Sequence, residues 1–283
     1  MTATLMDGRT LAQRTLDKAR LAAGAIVAEH AVVPTLATIM VGDDPASAVY
    51  VRAKRARCEE VGVRSVLVAL PATATTEQVL AEVRALGDNE RVHAILVQHP
   101  VPAHVDRRAV FEAIPLEKDI DAVGSAALGR VILGFARTSP CTPLGIMRLL
   151  AEYDVSLDGM DAVVIGRSPI LGRPMASMLI NAHATVTLCH SRTRGLERIV
   201  GHADLVIAAV GKPEFVPGRW IKQGAVVVDA GYNEGNVGDV DFDGAKERAS
   251  LITPVPGGVG PMTVAVLVEQ VVIAAAGQLG KAS

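Results

Sequence analysis

The strongest constraint on this chain is a repeated alternation of short, uniformly apolar runs with longer segments of helical spacing. Residues 35–41, 63–70 and 93–98 are apolar runs of strand length. The segments around them, residues 11–27, 46–61 before Gly62, and a stretch from Thr75 to about Leu86, have the period of amphipathic helices. Thr75 and Gln78 have the spacing of a capping box, which fixes where the third of these helices starts. Strands joined by helices of this length are right-handed crossovers, so the pattern predicts a parallel sheet with ligands at the strand C-terminal ends. Residues 42–45 and 98–102 are such ends.

The rhythm weakens over residues 105–139, where a short helix is mixed with polar and glycine punctuation. A helix is then expected near Thr142-Pro143, with Thr142 as its N-cap. From Asp161 the alternation resumes with apolar runs at 162–165, 185–189, 205–210 and 226–229, which predict a second parallel sheet. The run from Pro254 to Pro261 reads as a shaped loop, because its prolines lack donors and its glycines accept positive φ. Helical spacing returns from Thr263. The expected organisation is α/β with two domains: residues 1–139, completed by a C-terminal helix at 262–283, and residues 140–261, a Rossmann-like dinucleotide-binding domain.

Composition narrows the function. Half of the 283 residues are apolar, 20% are charged and the net charge is -2, which excludes an extended disordered chain and a strongly basic nucleic-acid binder. A small molecule is the expected partner. The longest apolar stretch, residues 264–277, is interrupted by Glu269 and Gln270, short of the roughly 20 residues a membrane helix needs, so no membrane association is expected. Asp7 and Arg9 stand where a secretory signal would need an apolar core, which makes a cytoplasmic location the expectation. Cys58, Cys141 and Cys189 are isolated, and the seven histidines lack zinc-site spacing, so no metal is expected.

Two groups of residues carry chemistry. The run 162–165 leads into Gly166-Arg167-Ser168-Pro169-Ile170-Leu171-Gly172 and a helix, where backbone amides and a helix dipole can face a pyrophosphate. This is a variant dinucleotide turn, since Ser168 replaces the second glycine of the usual fingerprint; a plain βα connection is the other reading. The next run ends in His190-Ser191-Arg192-Thr193 where a ribose-binding acid would stand. A cation with hydroxyls suits a 2′-phosphate, favouring NADP, with Arg167 as a second charge; alternatively Arg192 and Arg194 are solvated loop residues. In the first half, Tyr50, Lys54 and Arg57 share a helix face at a strand end. Excluded from water and beside Arg55 and Arg57, Lys54 would be a usable base, with Gln98 holding its neutral form; a solvated lysine and a loop-capping glutamine are the alternatives. Asp119 and Asp121 alternate, so on extended chain both can face one way.

Taken together the motifs resemble the bifunctional methylenetetrahydrofolate dehydrogenase/cyclohydrolase family. The resemblance rests on Ala46-Ser47-x-x-Tyr50-Val51-x-x-Lys54, Val97-Gln98-x-Pro100-x-Pro102, Lys118-Asp119-Ile120-Asp121, Pro140-Cys141-Thr142-Pro143, Gly166-Arg167-Ser168-x-x-x-Gly172-Arg173-Pro174, Cys189-His190-Ser191-Arg192-Thr193, Ala209-Val210-Gly211-Lys212-Pro213 and the long Thr253 to Thr263 motif. It implies two domains flanking a cleft, NADP on the second, a folate between them, and a homodimer serving one-carbon metabolism and purine biosynthesis. It also implies that Lys54 is the central catalytic group, Tyr50 stacks on the folate, Gln98 tunes the lysine and Asp121 anchors the pterin. Ser47, Val97, Pro100, Pro256, Gly257, Gly258 and Pro261 would complete the substrate site. Thr142, Gly166, Arg167, Ser168, Gly172, Pro174, Ser191, Arg192, Val210, Gly211 and Gly231 would line the cofactor. The implied reactions are oxidation of 5,10-methylenetetrahydrofolate and hydrolysis of the methenyl product to 10-formyltetrahydrofolate. His99, where the family usually has Leu, and Ala122-Val123-Gly124, where it usually has Gly-Phe-His, depart from the pattern at the folate site. They leave a monofunctional dehydrogenase, or a relative using another pterin-like one-carbon carrier, as an alternative; a non-catalytic NADP- or folate-binding paralogue is a further one, against which Tyr50, Lys54, Gln98 and Asp121 together argue.

Overall fold

A computed structural model describes residues 2–280, with side chains throughout except at 45–49. In chain order the elements are β1 (Thr4–Leu5), α1 (Gly8–His30), β2 (Thr35–Val41), α2 (Pro45–Val61), β3 (Arg64–Leu70), α3 (Thr76–Asp88), β4 (Ala94–Val97), α4 (Arg107–Glu112), α5 (Ser125–Ile132) and α6 (Cys141–Glu152). There follow β5 (Asp161–Ile165), α7 (Gly172–Asn181), β6 (Thr185–Cys189), α8 (Leu196–Val200), β7 (Leu205–Ala208), β8 (Val226–Asp229), α9 (Phe242–Lys246), β9 (Leu251–Ile252) and α10 (Val259–Leu279). The chain divides into two units, one holding the chain up to Ala12 with Val131–Phe135 and Pro140–Thr263, the other Gln13–Arg130, Ala136–Ser139 and the chain from Val264.

In the first unit six strands lie in the order β1-β9-β8-β7-β5-β6, every pairing parallel. Central strands of such a sheet are covered on both faces, which is why β5, β7 and β8 are nearly continuous apolar runs and why their residues are buried. The register sets Ile165 beside both Cys189 and Ala208, and Ala208 beside Asp229, so the loops after β5, β6, β7 and β8 leave from one edge. Sequence periodicity does not reveal β1 and β9, because each has only two residues. β1 pairs with β9, Thr4 opposite Leu251 and Leu5 opposite Ile252, and so groups the first twelve residues with this unit rather than with the rest of 1–139.

Three local expectations are corrected. β7 stops at Ala208 and not at residue 210, because the amides of Val210 and Gly211 turn to the carboxylate of Asp239. Thr142 is not an N-cap: the helix begins at Cys141 after an extended Pro140, and Pro143 sits in the first turn, where its missing N–H has no intrahelical partner to lose. For the same reason Pro261 is compatible with α10 starting at Val259, so the end of the proline-glycine run is helix and not loop.

The second unit has a three-stranded parallel sheet, β3-β2-β4, with β2 central and almost wholly buried. The capping box at α3 is present: Gln78 N donates to Thr75 Oγ1 at 3.3 Å and Thr75 N to Gln78 Oε1 at 2.8 Å. At the other end of α3 the buried Lys118 donates to the carbonyls of Leu86, Gly87 and Asn89 at 3.2, 2.6 and 2.9 Å, satisfying acceptors the helix leaves open. The expectation that no segment is long and apolar enough to cross a membrane fails, since α10 meets that test by length and composition. Most of α10 is nonetheless buried within the fold, and Gln270, 1% exposed, is its polar exception. Its Nε2 donates to the carbonyls of Ile120 and Ser139 at 2.7 and 2.8 Å, and its Oε1 accepts from Ser139 N at 2.7 Å.

Gln270→Leu preserves volume but leaves the buried Ile120 carbonyl and the half-buried Ser139 amide and carbonyl without these partners. At about 1 kcal/mol or more for each, the loss of stability should be about 3 kcal/mol, read as a lower denaturation midpoint. A midpoint equal to that of the wild type would show that these bonds do not hold the 120–139 segment.

Candidate active sites

The first candidate site lies in the three-stranded unit, where β4 ends at the buried Val97. Gln98 continues the strand direction: its N donates to Ile39 O at 2.8 Å, and its side chain is fixed because Nε2 donates to His99 O at 2.7 Å. That leaves Oε1 as the acceptor presented to α2, where Lys54 Nζ donates to it at 2.9 Å. The fold therefore joins the predicted lysine and glutamine, forty-four positions apart, in one hydrogen bond. Tyr50, one helical turn before Lys54, is 41% exposed, as a residue offering a ring to a ligand must be. The side chain of Ser47 lies outside the described residues, and Pro100 is exposed. Of the two arginines expected beside the amine, Arg57 pairs with Glu60 at 2.6 Å and Arg55 is exposed.

His99 does not sit as an open, titrating neighbour. Its ring packs edge-on against Phe111, with centroids 5.0 Å apart and planes at 87°. Burial above all, then the positive charges of Arg107 and Lys54, hold its pKa down at about 4, so the ring is neutral near pH 7. The two aspartates of Lys118-Asp119-Ile120-Asp121 also separate. Asp119, 2% exposed, accepts from Val123 N and Gly124 N at 3.1 and 2.9 Å, and burial raises its pKa to about 6 against those hydrogen bonds. It builds the loop, while the half-buried Asp121 remains the member near the surface. Ala122, where the related pattern has glycine, takes φ 47°, in the left-handed region that favours glycine.

The second candidate site lies in the six-stranded unit. Gly166 has φ 123°, and a Cβ there would lie 2.1 Å from Ala209 O; a Cβ on Gly172 would lie 1.9 Å from Gly166 O. Both positions require glycine for close backbone approach, which is what a dinucleotide turn needs. No side chain among the described residues caps the start of α7 at Leu171. In its first turn Arg173 N donates to Ser168 O at 3.1 Å and Pro174 has no N–H, so among the described residues the Gly172 amide is the donor left for another partner. Ser168 is partly buried, its Oγ accepting from Ile170 N at 3.3 Å, and Pro174 is buried inside the helix's first turn. Arg167, Ser191 and Arg192 are exposed, and Arg192 N donates to His190 Nδ1 at 3.2 Å in the turn after β6. Thr142 is half-buried, its hydroxyl accepting from Thr263 Oγ1 at 3.2 Å.

Within the same unit the proline-glycine run is anchored by Gly8 N, which donates to Gly257 O at 2.9 Å. Gly257 has φ 120°, and a Cβ on Gly258 would fall 2.6 Å from Thr253 Cβ, so both glycines have a structural reason. Pro256 is exposed and Pro261 half-buried in α10. Gly231 is buried against Asp239, its missing Cβ 2.2 Å from that carboxylate. The acids Asp229 and Asp239, 4% and 0% exposed, hold the loops around these positions and escaped the sequence reading. The available signal was an acid closing the apolar run of β8 and the alternation Asp239-Val240-Asp241, which repeats that of Asp119 and Asp121.

Comparison with known proteins places the two sites in one lineage. Residues 6–121 match the family described as tetrahydrofolate dehydrogenase/cyclohydrolase, catalytic domain, and residues 140–279 match its NAD(P)-binding domain. The chain is 52% identical over 280 residues to the bifunctional protein FolD of Saccharophagus degradans, covering 99% of this chain and 100% of that one. The crystal structure of the bifunctional FolD of Campylobacter jejuni is 41% identical with a TM-score of 0.94, over 98% of this chain and 99% of that one. The Trypanosoma brucei enzyme, a methylenetetrahydrofolate dehydrogenase-cyclohydrolase complexed with NADP and an inhibitor, is 36% identical with a TM-score of 0.95, over 99% of both chains. With family matches across both halves and relatives this similar over their whole length, the chain belongs to the tetrahydrofolate dehydrogenase/cyclohydrolase family.

Proposed function

We propose that this chain oxidises 5,10-methylenetetrahydrofolate to the 5,10-methenyl cation with NADP and hydrolyses that cation to 10-formyltetrahydrofolate. The observation that carries the reading is the bond of Lys54 Nζ to Gln98 Oε1 at 2.9 Å, at a strand end in the unit matching the family's catalytic domain. Because Gln98 spends its own donor on His99 O, it presents only an acceptor and fixes the amine in place. A held lysine can pass a proton to and from the water that adds to the methenyl carbon, and to the nitrogen released as the ring opens. Tyr50 offers a ring face one turn away, and Asp121 a carboxylate for the polar edge of the pterin.

The six-stranded unit fits NADP: Gly166 and Gly172 permit the close approach, the Gly172 amide at the start of α7 and the Ser168 turn suit the pyrophosphate, and Arg167, Ser191 and Arg192 suit the 2′-phosphate. Bound there, NADP supplies the hydride acceptor. The protein's own contribution to this step is to orient the reactants. The family matches of both halves, and the NADP complex of the Trypanosoma brucei enzyme, support the reading. A cytoplasmic homodimer that does not enter the membrane and feeds purine synthesis extends the proposal. It is supported by the family resemblance, by three buried thiols suited to a reducing compartment, and by the largely buried α10.

Lys54→Met should abolish methenyl hydrolysis while NADP binding, measured by fluorescence titration, stays within twofold of wild type; normal hydrolysis in this variant would remove Lys54 from the mechanism. Arg192→Ala should weaken NADP by roughly tenfold or more, as expected for a lost charge-assisted hydrogen bond of about 1.5–3 kcal/mol, and leave NAD nearly unchanged. Equal losses for both cofactors would place the 2′-phosphate elsewhere. For His99, the pH profiles of both activities should superimpose between wild type and His99→Leu from roughly pH 5.5 to 8, because the ring is already neutral there. Its folded pKa lies below the unfolded value, so its contribution to stability is present above about pH 6.5 and is lost as pH falls toward 4. His99→Leu should flatten that acid limb, and an activity step near pH 6.5 in the wild type alone would contradict the buried placement.

A further inference from the structure

We propose that Asp239, itself held by Asp229, is a positioning residue for NADP: it sets the loop after β7 against the glycine turn after β5. The inference rests on the reading of Val210, Gly211 and Gly166 as cofactor-facing. Three consecutive amides, those of Val210, Gly211 and Lys212, converge on the Asp239 carboxylate at 2.6, 2.8 and 2.9 Å. Asn233 Nδ2 adds a fourth donor at 3.0 Å. Turning three successive N–H groups inward onto one fully buried acid fixes the path of the loop and leaves Gly211 on its exposed outer side.

The same loop reaches the glycine turn. Ala209 O occupies the space beside Gly166 where a Cβ would lie, 2.1 Å away, and Ala209 N donates to Ile165 O at 2.8 Å. A shift of residues 209–212 is therefore felt at Gly166, the residue that opens the proposed pyrophosphate turn. Asp239 is fixed in its turn: its N donates to Asp229 Oδ1 at 2.9 Å, and Val240 N to Asp229 Oδ2 at 2.9 Å. Asp229 also accepts from Gly231 N at 2.8 Å, and its own N donates to Thr253 Oγ1 at 2.8 Å. Gly231 and Gly238 admit these carboxylates, since a Cβ at either would fall 2.2 or 2.0 Å from one of them. The end of β8 is thus tied, through two acids, to the loop after β7.

The test compares two substitutions in the full-length protein. Asp239→Asn keeps the shape but turns one acceptor into a donor facing donors; Asn233→Ala keeps the carboxylate and removes the Asn233 Nδ2 brace on Oδ1 together with its bond to Val237 O at 3.2 Å. The KM for NADP in the dehydrogenase assay and kcat/KM for methenyl hydrolysis without NADP are measured for each. The expected result is a rise in NADP KM of about tenfold or more for Asp239→Asn and a few-fold for Asn233→Ala, as the loss of one or more hydrogen bonds to a charged group implies. Methenyl hydrolysis should stay within twofold. A parallel fall of both activities would make the role merely structural and overturn the proposal, as would an unchanged NADP KM. If Asp239→Asn does not fold, the sign of the Asn233→Ala shift decides alone. A wild type showing no saturable NADP-dependent oxidation would instead overturn the cofactor reading, an outcome separate from unshifted variants of an NADP-saturable wild type.

Discussion

Buried carboxylates that accept backbone N–H groups hold this structure's working loops in place. Parallel sheets deliver their strand ends to one edge, but the loops that leave that edge carry amides with no strand partner. Here three aspartates satisfy them: Asp119 the amides of Val123 and Gly124, Asp229 those of Gly231, Asp239 and Val240, and Asp239 those of Val210, Gly211 and Lys212. The glycine turn after β5, the 119–124 segment and the loop after β7 all depend on one of these acids or border on one. Surface salt bridges such as Arg20–Glu60 and Lys222–Asp204 lie in solvent and would contribute little by comparison.

This arrangement trades stability for position. Burial lifts the pKa of Asp119 and of Asp229 to about 6, although each accepts backbone hydrogen bonds that pull the other way. Desolvation therefore exceeds what the hydrogen bonds return to the charged form. Since the folded pKa lies above the unfolded value of about 3.9, the contribution of each is complete below that pH and is lost as pH rises through about 6. Near neutrality the protein keeps these acids charged at a cost, and gains fixed amides at Val123, Gly124, Gly231, Asp239 and Val240. His99 follows the opposite sign, being buried as a neutral ring against Phe111.

Much of this was legible in the sequence, for definite reasons. Strands buried on both faces must be continuous and apolar, so β2, β5, β7 and β8 announced themselves, as did the capping box at Thr75. The glycines at 166 and 172 followed from backbone approach, and the Lys54–Gln98 bond from placing one residue on a helix and the other at a strand end. What was hidden depended on partners distant in the chain. Two-residue strands such as β1 and β9 have no periodicity, and the end of β7 is set by Asp239. The start of α10 lies inside a proline-glycine run that looked like loop, because prolines in a helix's first turn lose nothing. The ion pair that Arg57 makes with Glu60 on the same helix was likewise not legible, because it depends on which rotamer the guanidinium takes.

The central claim is that one chain couples hydride transfer to hydrolysis, with Lys54 and Gln98 in one unit and the dinucleotide turn in the other. Its most direct test supplies the purified wild-type protein with 5,10-methylenetetrahydrofolate and NADP and follows NADPH and 10-formyltetrahydrofolate together. The account predicts that the two products accumulate in equal amounts, with the methenyl compound remaining at a low steady level. NADPH matched by accumulating methenyltetrahydrofolate, with no 10-formyl product beyond the uncatalysed rate, would contradict it.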